Sequence, residues 1–202
     1  MQNREAFLSD LSDLDRKIIL GLCSRRTVKP KAIIVSQGSS GRDMFIVESG
    51  SLKVSVFSGE GKEISFVVLR RGDYFGELSL IDGRTRSATV TAIETSELLV
   101  LSHSEYQRLL RDHPHTATGF LTRMLLTLAN RIRATDELYQ DSVFLDVSSR
   151  LAKFLLSVST DDSEATEGRR PLDVRLSQYE LGTLVNASRE SVNKQLRDWE
   201  EQ

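Results

Sequence analysis

The chain has 202 residues, of which 39% are hydrophobic, and this length and composition favour two folded domains and argue against extensive disorder. Its single cysteine, Cys23, excludes a disulfide framework and a thiolate cluster for zinc or iron–sulfur. No apolar run reaches the roughly 18 residues that cross a bilayer, and the first five residues do not resemble a signal peptide, so we expect a cytoplasmic protein without a membrane partner. The formal net charge of -2 neither indicates nor excludes a DNA-binding face.

The first part of the chain combines one helix with a β-rich region. Apolar residues at helical spacing predict a helix over residues 5–25, namely Phe7, Leu8, Leu11, Leu14, Ile18 and Leu22. From about Val28 to Leu101, short β-rich runs alternate with glycine-bearing turns. These runs cover residues 32–35, 44–48, 52–57, 64–69, 89–93 and 98–101. Many short strands predict a barrel or sandwich rather than a parallel α/β sheet.

Two helices are predicted next. Ser102 and Glu105 have capping-box spacing, and Pro114 suits the first position of a helix that nothing interrupts until about Ser148. Seven residues in it follow the alternating four-three spacing of a coiled-coil seam: Leu121, Leu125, Leu128, Ile132, Thr135, Tyr139 and Ser142. A helix of roughly 30 residues is long for one domain, so we predict a homodimer paired through residues 113–146. Packing of this stripe on the chain's own β domain is the alternative.

The C-terminal part predicts a helix-turn-helix. A short helix over 150–158, a polar linker over 159–170 and a strand-like segment over 172–176 come first. Ser177 and Glu180 then open a helix containing Gly182, which is small where two helices cross. Asn186 suits a left-handed turn, and Ser188 can cap the next helix.

The last helix presents a polar face. With Val192 and Leu196 facing inward, its candidate DNA-binding residues are Ser188, Arg189, Glu190, Asn193 and Lys194. Arginine and lysine can bond guanine, and glutamate can accept from cytosine. The segment from Pro171 to Gln202 carries four basic and six acidic residues, so affinity for phosphate must come from their arrangement. A helical hairpin with a solvated charged face is the alternative.

The segment 72–92 contains the most informative chemistry. Gly76 permits close backbone approach, Glu77 follows it, and Arg86 and Ser87 lie in the turn beyond. A guanidinium suits a singly charged cyclic phosphate, a carboxylate suits ribose hydroxyls, and turn amides can form an anion nest. On spacing alone, a surface ion pair between Glu77 and Arg86 is the alternative.

This segment resembles the phosphate-binding cassette of cyclic-nucleotide-binding domains, whose pattern is Phe-Gly-Glu-Leu, a short helix, then Arg-Ser-Ala. With the long helix, the junction 144–147 and the segment 188–192, the chain resembles the bacterial cAMP receptor protein (catabolite activator) family of the fumarate-nitrate regulator superfamily. The resemblance implies an α+β fold. A jelly-roll β-barrel domain would cover residues 1–112, a dimerisation helix 113–146, and a helix-turn-helix domain of winged-helix type 147–202.

The resemblance also implies a ligand, partners and residue roles. The allosteric ligand would be cAMP or cGMP, and the partners a pseudo-palindromic DNA duplex and RNA polymerase. Glu77 would hold the ribose 2′-hydroxyl and Arg86 the cyclic phosphate with the help of Ser87, within a cassette that includes Gly76, Leu78 and Ser79. Thr135 would contact adenine from its own subunit.

Two departures from the family bear on function. Asp136 stands where the family has a serine that reaches the base from the partner subunit. We hypothesise that this carboxylate, which can accept two donors from guanine, lets cGMP bind beside cAMP; a solvent-facing Asp136 is the alternative. The chain ends at Gln202, before the family's β-hairpin wing. We expect either a truncation or a natural protein without the wing.

Three other functions compete. One is an effector-independent regulator of the same fold, and another is a cyclic-nucleotide-binding regulator of a protein partner. The third, an enzyme on a cupin-like barrel, needs clustered histidines and carboxylates, but His103, His113 and His115 all lie outside the β region. We therefore predict no catalytic activity and no metal, haem or iron–sulfur cluster.

Overall fold

The chain divides between Ala129 and Asn130 into two compact units, and each is described by itself. The computed structural model describes residues 7–9, 11–60, 63–159 and 177–201, apart from the side chains of 64–66, 179, 180 and 183. The predicted strand over 172–176 and nearly all of the predicted linker lie outside these residues.

The first unit begins with helix α1 (Asp13–Leu22) and eight strands. The strands are β1 (Ser24–Val28), β2 (Ile33–Val35), β3 (Met44–Ser49), β4 (Leu52–Phe57), β5 (Glu63–Leu69), β6 (Tyr74–Phe75), β7 (Thr89–Ala92) and β8 (Ser96–Leu101). They form two antiparallel four-stranded sheets in the orders β1-β8-β3-β6 and β2-β7-β4-β5. The predicted jelly-roll type is confirmed, as two packed sheets rather than a closed barrel.

Two hydrophobic clusters cover opposite faces of the first sheet. Phe45 and Val47 point into a cluster shared with the second sheet. Met44 and Ile46, on the other face of β3, belong to a cluster shared with the helices. Because successive residues of a strand point to opposite faces, a strand covered on both sides is apolar without alternation.

The predicted helix over residues 5–25 is wrong at both ends. Residues 7–9 form a turn, and α1 begins after Ser12, whose Oγ accepts from the Asp15 N–H at 3.1 Å. Phe7 is nonetheless buried in the core. Its spacing from the apolar residues of α1 therefore reflects the burial of a loop residue and does not mark a helix. Residues Ser24–Val28 form β1 instead of the helix end, and only Val28 of that strand is buried. A strand with one buried residue carries no alternating pattern to reveal it.

Three further helices belong wholly or partly to this unit: α2 (Glu77–Asp82), α3 (His103–Asp112) and α4 (Pro114–Phe144). Ser102 caps α3 as predicted, since its Oγ accepts from the Glu105 N–H at 3.2 Å. The Tyr74 hydroxyl donates to the Met124 carbonyl at 3.2 Å, which joins β6 to α4 in the core.

The predicted seam of α4 is buried only in part. Leu121 and Leu128 pack against the core of the first unit. Leu125, Ile132 and Tyr139 are 66%, 63% and 71% exposed. Packing on the chain's own β domain therefore accounts for some seam residues, and a row of large apolar side chains remains on the surface of α4.

The second unit contains α5 (Val147–Ser157), α6 (Gln178–Leu184) and α7 (Arg189–Glu200). A small core of Leu151, Leu181, Val185 and Val192 holds them together. Helix α5 begins three residues before its predicted start because Asp146 caps it, accepting from the Ser149 N–H at 2.7 Å. Within the described residues, no helix is long and apolar enough to cross a membrane.

Candidate functional site

The predicted cassette forms a tight turn between β6 and α2. Gly76 follows β6 with φ +83°, in the left-handed region that favours glycine. A Cβ built on Gly76 would lie 2.6 Å from Nη1 of Arg86 and 2.7 Å from the Asp43 carbonyl oxygen. Gly76 is therefore required both by its backbone conformation and by the approach of Arg86.

Arg86 is buried, with 6% of its surface exposed, and is held at both its main chain and its side chain. Its Nη1 donates to the Gly76 carbonyl at 3.0 Å and its Nη2 to the Asp43 carbonyl at 2.8 Å. Its N–H donates to the Ser39 carbonyl at 2.9 Å, and its own carbonyl accepts from Gly38 N–H at 2.8 Å. The loop before β3 and the cassette turn together fix the guanidinium.

The structure brings Arg86 and Glu77 together. Burial lowers the pKa of Arg86, and the carboxylates of Asp43 and Glu77 oppose this effect. Glu77 is only 4% exposed. Because both side chains are buried, the arrangement is not a solvated surface ion pair. An arginine stays protonated even at such a site, so the cassette contains a buried, fixed positive charge.

The other cassette residues divide between core and surface. Ser79 is buried, whereas Leu78 and Ser87 are exposed. The sequence reasoning missed the loop residues Asp43 and Gly41. A Cβ at Gly41 would lie 3.2 Å from Nη2 of Arg86. The glycines and serines of residues 38–41 were the sequence signal for this loop, but they indicated only a turn and not a contact with Arg86.

Thr135 and Asp136 lie on α4 in the unit that begins at Asn130. Both are exposed, and the Thr135 hydroxyl donates to the Arg131 carbonyl of the same helix at 2.9 Å. Their predicted contact with a base stays a prediction.

The helix-turn-helix has the predicted local geometry. Asn186 adopts φ +52°, in the left-handed region. Ser188 caps α7, since its Oγ accepts from the Ser191 N–H at 3.1 Å. A Cβ on Gly182 would lie 2.7 Å from the Ala187 carbonyl oxygen, which confirms that the crossing requires a small residue.

Helix α7 separates its apolar and polar sides as predicted. Val192 is fully buried, and Leu196 and Trp199 pack beside it. Ser188, Arg189, Glu190 and Lys194 are exposed and Asn193 is half-buried. In the part of the chain that the structure describes, neither Arg189 nor Lys194 takes part in an ion pair. Both charges are therefore available to phosphates or base edges.

We expect Gly182→Ala to destabilise the second unit by about 1–3 kcal/mol, because the added Cβ meets backbone that cannot move cheaply. Urea unfolding followed by the emission of Trp199, the only tryptophan, measures this. Gly21→Ala is the control: no atom lies within 4 Å of a Cβ built there. Because Gly21 lies in the first unit, that change should leave the transition reported by Trp199 unchanged. Equal stability of Gly182→Ala and wild type would contradict the close crossing.

Within the described residues, no group of three or more histidine, cysteine, aspartate or glutamate side chains is placed to hold a metal ion. The chemistry of the cassette is that of a buried cation and a carboxylate.

Comparison with protein families gives the class. Residues 25–113 match the cyclic nucleotide-binding domain, and residues 149–202 match the Crp-like helix-turn-helix domain. Jelly-roll sheets with a buried cassette arginine, a long helix and a helix-turn-helix thus define a DNA-binding regulator with a cyclic-nucleotide-binding domain. The chain belongs to the CRP (cAMP receptor protein, or catabolite activator) family, whose members are transcription regulators and not enzymes.

Individual relatives cover nearly the whole chain. The cAMP-activated global transcriptional regulator CRP of Haemophilus influenzae is 30% identical over 181 residues, 89% of this chain and 79% of the relative. The CRP-like cAMP-activated global transcriptional regulator of Mycobacterium tuberculosis is 30% identical over 166 residues, 82% of this chain and 72% of the relative.

Solved structures agree in fold. The catabolite activator protein of Thermus thermophilus has a TM-score of 0.61 and 29% identity, over 98% of this chain and 87% of that one. The c-di-GMP responsive regulator CLP of Xanthomonas campestris has a TM-score of 0.77 over 93% of this chain and 91% of that one. Its identity of 23% supports a shared fold alone.

Proposed function

We propose that this protein is a cytoplasmic homodimeric transcription regulator that binds a pseudo-palindromic DNA site in response to a cyclic nucleotide, with cAMP as the principal effector and cGMP as a second ligand. The observation that carries the proposal is the buried guanidinium of Arg86, which the carbonyls of Gly76 and Asp43 hold next to the buried residue Glu77. RNA polymerase as a further partner rests on the family resemblance alone.

The chemistry of Arg86 suits a cyclic phosphate. A guanidinium has five N–H donors, and Arg86 uses two of them in hydrogen bonds with described residues. The remaining donors can form a charge-assisted bidentate contact with one phosphate. A singly charged cyclic phosphodiester would balance the single buried cation, and Glu77 would accept from a ribose hydroxyl.

The hydrogen bond from Tyr74 to Met124 supports a route from the cassette to α4. Tyr74 is 1% exposed and stands two residues before Gly76. A ligand that changes the cassette turn would act on the helix through this contact. A ligand regulates only if it interacts differently with two arrangements of the protein. Pairing of the exposed seam residues of two α4 helices would turn such a shift into a change in the spacing of two α7 helices.

Calorimetric titration with cAMP, cGMP and c-di-GMP tests the effector, and c-di-GMP is included because the Xanthomonas protein is described as responsive to it. We expect binding of cAMP and cGMP. Selection of duplex DNA from a random-sequence library, with and without cAMP, tests the output. Enrichment without heat from any nucleotide would favour the effector-independent alternative, and nucleotide binding without enrichment would favour a protein partner.

We expect Asp136→Ser to raise the preference for cAMP over cGMP roughly tenfold, because loss of one acceptor to guanine costs about 1–1.5 kcal/mol. Parallel titrations of both nucleotides measure this ratio. The control is Glu137→Gln, which removes a charge from the adjacent exposed position of α4. An unchanged ratio in Asp136→Ser would mean that Asp136 faces solvent in the complex.

A further inference from the structure

One arginine links three backbone carbonyls around the helix-turn-helix. Arg150 lies on α5, and its Nη1 donates to the Leu145 carbonyl at 2.7 Å. Its Nε donates to the Val185 carbonyl at 2.8 Å and its Nη2 to the Asn186 carbonyl at 3.2 Å. Nothing in the sequence pattern distinguishes this arginine from a solvated residue of an amphipathic helix.

The three acceptors have a common origin. Leu145 directly follows the last residue of α4, and Val185 and Asn186 directly follow the last residue of α6. The final carbonyls of a helix have no partner within it and carry the negative end of its dipole. A guanidinium presents donors in a rigid fork, so Arg150 can satisfy the ends of both helices at once.

A second contact between α5 and α4 differs in kind. Lys153 pairs with Asp141 of α4 at 2.6 Å, and their side chains are 55% and 20% exposed, so the lysine end of the pair is open to solvent. Ion pairs open to solvent contribute little, and this partly exposed pair does not reach the turn of the helix-turn-helix. Of these two contacts, only the one made by Arg150 joins the end of α4 to the turn that precedes α7.

We propose that Arg150 is a positioning residue for DNA recognition: it fastens the turn between α6 and α7 to the C-terminal end of α4, so that α7 moves with that helix. Without the guanidinium, the helix-turn-helix would keep its own core of Leu151, Leu181, Val185 and Val192. It would lose its fixed orientation on α4. Recognition of DNA by two helix-turn-helix elements needs a defined spacing between them. A loosely held element must be ordered on binding, which weakens the affinity for DNA.

The test uses Trp199, which lies on α7 and packs on that core. Time-resolved fluorescence anisotropy of Arg150→Gln and wild type, each as the full chain, measures how fast α7 rotates. We expect a faster component in Arg150→Gln, with an unchanged emission maximum and an unfolding midpoint close to wild type. This readout needs neither nucleotide nor DNA, so its result is independent of the proposed function.

A second arm rests on the proposed function and measures affinity for a duplex selected by the wild-type protein. We expect a loss of about tenfold or more in Arg150→Gln and less than twofold in Lys153→Gln, which removes the same charge one turn further along α5. Anisotropy decay and DNA affinity equal to wild type would overturn the proposal.

Arg150→Lys keeps the positive charge but removes the planar guanidinium. It tests the positioning role if Arg150→Gln does not fold. A folded lysine variant with the faster component supports positioning. A lysine variant that has also lost the native Trp199 emission shows a purely structural role and overturns the proposal.

Discussion

Arg86→Gln should weaken cyclic-nucleotide binding by at least about a hundredfold, measured by calorimetric titration with cAMP. In the proposed complex, Arg86 and the phosphate of the ligand form a buried, hydrogen-bonded charge pair. Removing one partner of such a pair costs about 3–5 kcal/mol, and each 1.4 kcal/mol is about tenfold in affinity. Glutamine can still donate to one of the carbonyls of Gly76 and Asp43, but it provides no charge for a phosphate.

The control is Arg84→Gln, two residues away in the same turn. The Arg84 side chain is 87% exposed and lies 3.8 Å from Asp82. Because exposed ion pairs contribute little, Arg84→Gln should change the affinity for cAMP less than about threefold. Arg86→Lys separates charge from geometry, since lysine keeps the charge without the planar fork. Retention of wild-type affinity by folded Arg86→Gln would remove the basis of the proposed ligand site.

Leu125→Glu should dissociate the proposed homodimer and raise its dissociation constant about a thousandfold. The side chain is 66% exposed and lies on the α4 seam. Two leucines would leave the proposed interface, each worth about 1.5–3 kcal/mol, and two like charges would take their place. Sedimentation equilibrium over a range of concentrations measures the change.

The neighbouring residue provides a matched control. Leu126 is 54% exposed and is the same residue type, but it is rotated by one position away from the seam. Leu126→Glu should remain a dimer. Dissociation of both variants to the same extent would show that the contact surface of α4 is not the four-three seam. A monomeric wild type would show that the seam serves another partner.

Local signals were sufficient for several elements. Ser102 and Ser188 were recognised as caps because a cap is a bond within four residues of chain. Asn186 and Gly182 were recognised because a left-handed turn and a close helix crossing restrict the residue type directly. The cassette was recognised because Gly76, Glu77 and Arg86 lie within eleven residues of one another and match a family pattern.

Long-range packing decided the rest. Phe7 lies in a turn and is nevertheless buried. Its burial comes from Tyr74 and Phe120, whose ring centroids lie 4.4 and 5.2 Å from that of Phe7. Strand β1 exists because β8 pairs with it in register from Ser24 opposite Val100 to Val28 opposite Ser96. Hydrogen bonds to a strand that lies 68 to 76 residues further along the chain leave no periodic pattern in five mostly exposed residues.

The sequence by itself determined the order of the domains, the caps and turns, and the residue types of the cassette and of α7, since each depends on chemistry within a few positions. Only the tertiary structure decided that the carbonyls of Gly76 and Asp43 hold the Arg86 guanidinium, and that Arg150 reaches the ends of two helices. The physical reason is that backbone carbonyls are the same in every residue. Their position, which no side-chain pattern records, makes them acceptors for one particular arginine.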